Sequence, residues 1–171
     1  MKSFKRSILL ILGCLTLCLT SRCQSGAPFQ MLESPPEDQA LLYLVRPAVS
    51  VWSFRDFDIR VFSYSGHFTD SEPKLVESFE IKNNEFRRAL LSPGYYRLEL
   101  AGYSSRIIHV KPGALLFYEV YIFSKGFFHF PDLDIKEITG KRALSEMAGK
   151  YPMYERLEPI QCCAKGSEEL P

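Results

Sequence analysis

Cysteine is the residue type whose placement in this chain most clearly promises chemistry. There are five, and three of them, Cys14, Cys18 and Cys23, lie in or just after an uncharged run near the N-terminus. A thiol that follows small residues at the end of such a run is suited to acylation. Cleavage makes the Cys the new N-terminus, and lipid is attached to its sulfur. Two positions compete. Ile11-Leu12-Gly13-Cys14 places Gly directly before the Cys but leaves only Ser7–Gly13 as apolar run. Leu19-Thr20-Ser21-Arg22-Cys23 has the full run upstream, with Arg22 as its departure from the small residues usual beside a cleavage site. Cys23 is the favoured lipidation site and Cys14 the alternative. The remaining pair, Cys162-Cys163, has four readings: a strained vicinal disulfide, a thiolate pair for a soft metal, two thiols near a loose terminus, or one Cys bridging to another part of the chain. An oxidising compartment favours a disulfide.

One acid stands out in the most apolar stretch, Leu115–Ser124 (LLFYEVYIFS). Strand alternation puts Phe117, Glu119, Tyr121 and Phe123 on one face and Leu116, Tyr118, Val120 and Ile122 on the other. The aliphatic face suits a core. The aromatic face with its carboxylate is a candidate binding surface, because aromatic residues are enriched in interfaces. The competing reading covers this face with Phe128, Phe130 or a helix and pairs Glu119 with Arg46, Arg87 or Arg88. The three His residues (His67, His109, His129) show no metal-binding spacing, and there is neither a G-x-S-x-G elbow nor a phosphate-cradling Gly loop. No catalytic residue, cofactor or metal is implied, and the expectation is a protein that is not an enzyme.

The elements that would position these residues follow from the pattern. MKSFKR is a basic head, and Ser7–Leu19 is a thirteen-residue uncharged run. That length fits a secretory signal and is short for a membrane span of about 20 residues. Residues 1–22 therefore read as a signal peptide. Residues 23–39, polar and rich in Pro and acids, read as a flexible tether. Residues 40–160 read as the folded domain and 161–171 as a disordered tail.

Within the domain, strands are expected at Ala40–Arg46, Asp58–Tyr64, Lys74–Lys82, Phe86–Leu91, Tyr95–Ala101, Ser105–Lys111 and Leu115–Ser124, with one or two more in Phe127–Ile138. Ala40–Arg46 is apolar on both faces, as a central strand must be. Ser92-Pro93-Gly94-Tyr95 and Lys111-Pro112-Gly113-Ala114 both read as type II turns, with Gly supplying positive φ. Thr139 is the expected cap of a helix whose inner face carries Leu144, Met147, Ala148 and Tyr151, and which Gly149 and Pro152 end. The fold class is therefore mainly β: an antiparallel β-sandwich of seven to eight strands with one C-terminal helix packed on it.

Composition agrees. Of 171 residues, 46% are hydrophobic and 24% charged, enough to bury a core. The net charge of +1 conceals four basic and no acidic side chains in residues 1–22. The rest of the chain carries 17 of the 21 basic residues against all 20 acidic ones. A weakly acidic body has no nucleic-acid footprint.

Three segments, ALLYLVRP (Ala40–Pro47), SPGYYRLEL (Ser92–Leu100) and KPGALLFYEVYI (Lys111–Ile122), together resemble the bacterial lipoproteins of domain-of-unknown-function family 2846. The strand and Pro-Gly order is also similar to PEGA-type and carboxypeptidase-regulatory-like sandwiches. The resemblance implies a lipid-anchored, β-rich protein of the cell envelope and carries no catalytic residues. The expected function is thus a non-catalytic envelope lipoprotein, held to the outer membrane or periplasmic face by its N-terminal lipid, whose sandwich contacts an envelope protein partner. The alternative is an envelope enzyme or small-ligand carrier with an aromatic pocket around Glu119.

Overall fold

A computed structural model of the chain describes residues 26–123 and 131–156. Among these residues the strands are β1 (Ala40–Arg46), β2 (Phe57–Ser63), β3 (Lys74–Ile81), β4 (Glu85–Leu91), β5 (Gly94–Leu100), β6 (Ser104–Val110), β7 (Leu115–Phe123), β8 (Asp132–Glu137) and β9 (Tyr154–Glu155), with one helix, α1 (Gly140–Met147). They form two sheets, ordered β8-β7-β1-β4-β9 and β3-β2-β5-β6. The β-sandwich with one packed helix is as the sequence predicts. The second sheet is antiparallel throughout. The first is mixed, because β7 pairs parallel with β1 and β9 parallel with β4.

Alternation explains the layering. Every residue of β1 is buried. Ala40, Leu42 and Leu44 face the second sheet in the main core, with Ile59, Val61, Leu98, Leu100, Val120 and Ile135. Leu41, Tyr43 and Val45 face outward into a second core with Phe86, Phe117, Ala143, Met147 and Met153. Each fully buried Leu, Ile or Val contributes roughly 1.5–3 kcal/mol, so a strand can be apolar on both faces only where both are covered.

The helix supplies that second cover. The Thr139 side chain accepts the Arg142 N–H, as an N-cap should. The buried residues are Ala143 and Met147, whereas Leu144 and Tyr151 are exposed. The expected inner face is therefore rotated. Gly140 and Ala143 are small enough to let the helix settle on the Phe117 ring; a Cβ on Gly140 would lie 3.1 Å from it.

Both Pro-Gly devices carry the chain from one sheet to the other. At Lys111–Ala114 the Ala114 N–H donates to the Lys111 carbonyl at 3.2 Å with Gly113 at φ 68°, the expected turn. The Ser92–Tyr95 corner departs from type II geometry. Gly94 has φ 151°, and the Tyr96 hydroxyl closes the corner by donating to the Ser92 carbonyl at 3.0 Å.

Part of the expected tether belongs to the body. From Gly26 the chain runs beside β9: Glu155 N–H donates to the Ala27 carbonyl and Phe29 N–H to the Met153 carbonyl, at 2.9 and 2.8 Å. Phe29 and Leu32 pack on the outer core, and Glu33 N–H donates to the Tyr43 hydroxyl. Residues 26–39 are thus docked rather than free-standing. The proposed signal peptide, Cys14, Cys23, Cys162, Cys163 and the tail lie outside the described residues. Among the described residues, no helix is long and apolar enough to cross a membrane.

Candidate functional site

The four residues expected to form a binding surface on β7 divide into two pairs. Phe117 and Glu119 lie beneath α1, 8% and 5% exposed. Phe117 stacks on Tyr43 with ring centroids 5.4 Å apart. Tyr121 and Phe123 lie beyond the helix, stacked at 5.8 Å, with Tyr121 37% exposed. Among the described residues these four therefore form no continuous exposed patch. On the opposite face Val120 is buried, while Leu116 and Ile122 are only half-buried because they lie toward the ends of the strand.

Glu119 is paired, but not with the expected arginines. Arg142 from α1 donates through Nη2 to Oε1 at 3.1 Å and lies 2.8 Å from Oε2. Oε2 is buried and makes no hydrogen bond of its own. Burial pushes the carboxyl above its ordinary range. Arg142 pulls it back, Glu146 pushes it further and Lys136 opposes that. A buried, paired acid under a helix has the position of a structural tie more than of a pocket acid.

The three arginines proposed as its partners serve elsewhere. Arg87 bonds Glu77 across the sandwich edge. Arg88 is held between Glu155, at 2.5 Å, and Glu33 of the docked N-terminal stretch. Its pKa is raised, chiefly by the Glu155 hydrogen bond. These groups border a cleft of about 430 Å³, also lined by Ser34, Pro36, Leu41 and Leu90, between the N-terminal stretch and the first sheet. The Arg88 pairs close the N-terminal segment onto the body.

Arg46, the third expected partner of Glu119, has instead a role that sequence reasoning missed. At the end of β1 it is completely buried. Nη1 donates to the Ile81 carbonyl at 2.8 Å and Nη2 to the Trp52 carbonyl at 2.9 Å, and the guanidinium sits 4.1 Å above the Phe57 ring. Burial lowers its pKa to about 10, against the raising effect of Asp56 and Glu85. The Trp52 carbonyl it holds belongs to a residue with φ 57°, uncommon for a bulky side chain. Arg46 thereby fixes the loop of residues 47–56. Trp52, Phe57 and Tyr103 cluster there with centroids 6.2–6.3 Å apart, and Arg55 lies 5.3 Å from the Trp52 ring. An arginine directly before Pro47 is the only local signal, and it does not distinguish a buried clamp from an exposed strand end.

Two of the three histidines come together through Tyr95. His67 and His109 flank Tyr95, at 4.8 and 4.5 Å between centroids. They come together because β5 and β6 pair Tyr95 with His109 and the loop after β2 returns over Tyr95. His129 lies outside the described residues.

No family model, curated protein or solved structure matches this chain.

Proposed function

We propose that this protein is a non-catalytic lipoprotein of the cell envelope, anchored through lipid on Cys23, whose sandwich presents loops to another envelope component. The observation that carries the reading is the N-terminal order: a basic head, a thirteen-residue uncharged run and a Cys three residues before the chain docks at Gly26. The resemblance to family 2846 points the same way. Two features of the body support it. Glu119, the acid best placed for pocket chemistry, is tied to Arg142 beneath the helix. The N-terminal stretch is fastened by main-chain bonds at β9 and by Arg88, so the body sits close to its anchor rather than at the end of a long leash. Acyl chains supply the membrane affinity at about 0.8 kcal/mol per buried methylene.

Membrane fractionation tests the reading. Cys23→Ala should move the protein from the membrane to the soluble fraction, with Cys14→Ala remaining membrane-bound. Release by Cys14→Ala alone transfers the anchor to Cys14, and retention of both single variants and of the double variant contradicts lipid anchoring.

A further inference from the structure

The two ends of the sandwich differ in chemistry. Strand register assigns the loops to them. Arg46 pairs with Glu85, Glu85 with Tyr154 and Phe57 with Ile81, so residues 47–56, 82–84, 101–103 and 148–153 share one end. Contacts between the loops agree: Val49 N–H donates to Asn83 Oδ1, Asn84 Nδ2 donates to the Pro152 carbonyl, and Trp52 packs on Tyr103. Ala40 and Leu91 mark the other end, with residues 34–39, 64–73, 92–93 and 111–114.

The first end is apolar and basic. Phe54 is 87% exposed and Tyr151 71%, and Val49, Val51 and Tyr103 are exposed beside them. The described loops there carry Arg55, Lys82 and Lys150 against a single acid, Asp56, which lies 4.0 Å from the Lys82 ammonium. The loops of the far end carry Glu37, Asp38, Asp70 and Glu72 against a single base, Lys111. The seven residues of β1 separate the ends by about 23 Å. Aromatic rings with an apolar body and a polar tip, next to cations, have the composition of a bilayer interface, whereas clustered carboxylates are repelled by anionic headgroups.

Residues 26–29 lie beside β9 near the same end. Pro28 bridges Tyr154, and Tyr154 N–H donates to the Asn84 carbonyl. Gly26 is fixed there: its φ is 147°, and a Cβ would fall 1.7 Å from the Glu155 carbonyl oxygen. Three residues from Cys23 to Gly26 span at most about 11 Å. A lipid on Cys23 is therefore held within that distance of Gly26.

We infer that the end formed by residues 47–56, 101–103 and 148–153 is a membrane-docking surface that lays Phe54 and Tyr151 into the headgroup layer of an anionic bilayer. This rests on anchoring at Cys23. It assigns the Arg46 clamp a purpose, since the clamp holds the loop that carries Phe54. It also turns the acidic end, with the His67–Tyr95–His109 stack, away from the lipid.

The chain contains one tryptophan, Trp52, and it lies in the docking loop. The processed full-length protein is extracted and reconstituted into phosphatidylcholine–phosphatidylglycerol vesicles whose lipids are brominated high on the acyl chain. Flotation reports anchoring, and Trp52 fluorescence reports docking. The expected result is quenching of Trp52 by the brominated lipid and protection from aqueous iodide. Phe54→Ser combined with Tyr151→Ser should lose both effects while still floating and melting at the parent temperature. Floating protein whose Trp52 is unquenched by lipid and open to iodide overturns the docking surface and leaves the anchor standing. So does a double variant that is quenched like the parent. Protein that carries no lipid and does not float overturns the anchoring reading and the inference with it.

Discussion

Arg46→Met is the perturbation whose magnitude the structure defines best. The substitution keeps an unbranched chain of similar reach through the same channel, so loss of packing is small. It removes two charge-assisted donors, to the Ile81 and Trp52 carbonyls, and the stacking of the guanidinium on Phe57. Hydrogen bonds involving a charged group contribute about 1.5–3 kcal/mol each and a desolvated cation–π contact about 2 kcal/mol. Against this stands the relief of returning a buried charge to water, several kcal/mol, which is the same burial that lowers Arg46 to about 10. The net expectation is a loss of about 2–4 kcal/mol, or about 5–15 °C in melting temperature for a domain of this size. Urea unfolding followed by far-ultraviolet dichroism gives the stability, and Trp52 emission gives the loop separately. Because the Trp52 carbonyl loses its donor, its emission should shift toward the red in native buffer, before global unfolding. A stability change under about 0.5 kcal/mol, the range of surface substitutions, with unchanged emission would refute the clamp.

Other consequences concern the core, a corner and the buried acid. Val120→Ala should cost about 1–3 kcal/mol by transfer and cavity terms in denaturant titration; a cost near zero would place Val120 outside the sandwich core. Gly113→Val should lower stability by about 1–3 kcal/mol, because φ 68° is strained for a β-branched residue, and a neutral result would show that the corner relaxes freely. Glu119 holds its proton more tightly folded than unfolded, so its contribution to stability is full below the unfolded value near 4.5 and is lost as pH rises through the higher folded value. Glu119→Gln should therefore flatten the fall in melting temperature across the mildly acidic range, and superimposable pH profiles of variant and parent would contradict its burial.

Local signals in this chain were legible, and pairings between distant segments were not. Ala40–Arg46 declared itself a central strand because apolar residues on both faces can be sustained only when both are covered. In Tyr95–Ala101 the alternation of Tyr96, Leu98 and Leu100 with Arg97 and Glu99 marks the inward face, and those three residues are buried. The parallel pairing of β7 with β1 left no local trace, since either direction buries the same side chains. The helix cap at Thr139 was readable, but its inner face was not. A hydropathy pattern selects Leu144, whereas close packing on Phe117 selects Gly140 and Ala143. Along Lys74–Lys82 alternation alone would turn Leu75, Phe79 and Ile81 inward, but the register shift at Val61/Phe62 breaks it and leaves Leu75 and Val76 exposed. The docking of residues 26–39 rests on main-chain bonds to β9, on the Arg88–Glu33 pair and on two packed side chains, Phe29 and Leu32, none of which a Pro-rich, largely polar composition announces. The candidate surface on β7 was half legible: alternation grouped its four residues correctly, but nothing local showed that α1 would cover Phe117 and Glu119 and stop short of Tyr121.

The central claim is that an acyl group on Cys23 holds this body to a membrane. Intact mass spectrometry of the mature protein extracted from membranes measures cleavage and modification together. The account predicts a polypeptide beginning at Cys23 with the added mass of covalently attached lipid. A mature chain without lipid, or one that begins at Cys14, would contradict it.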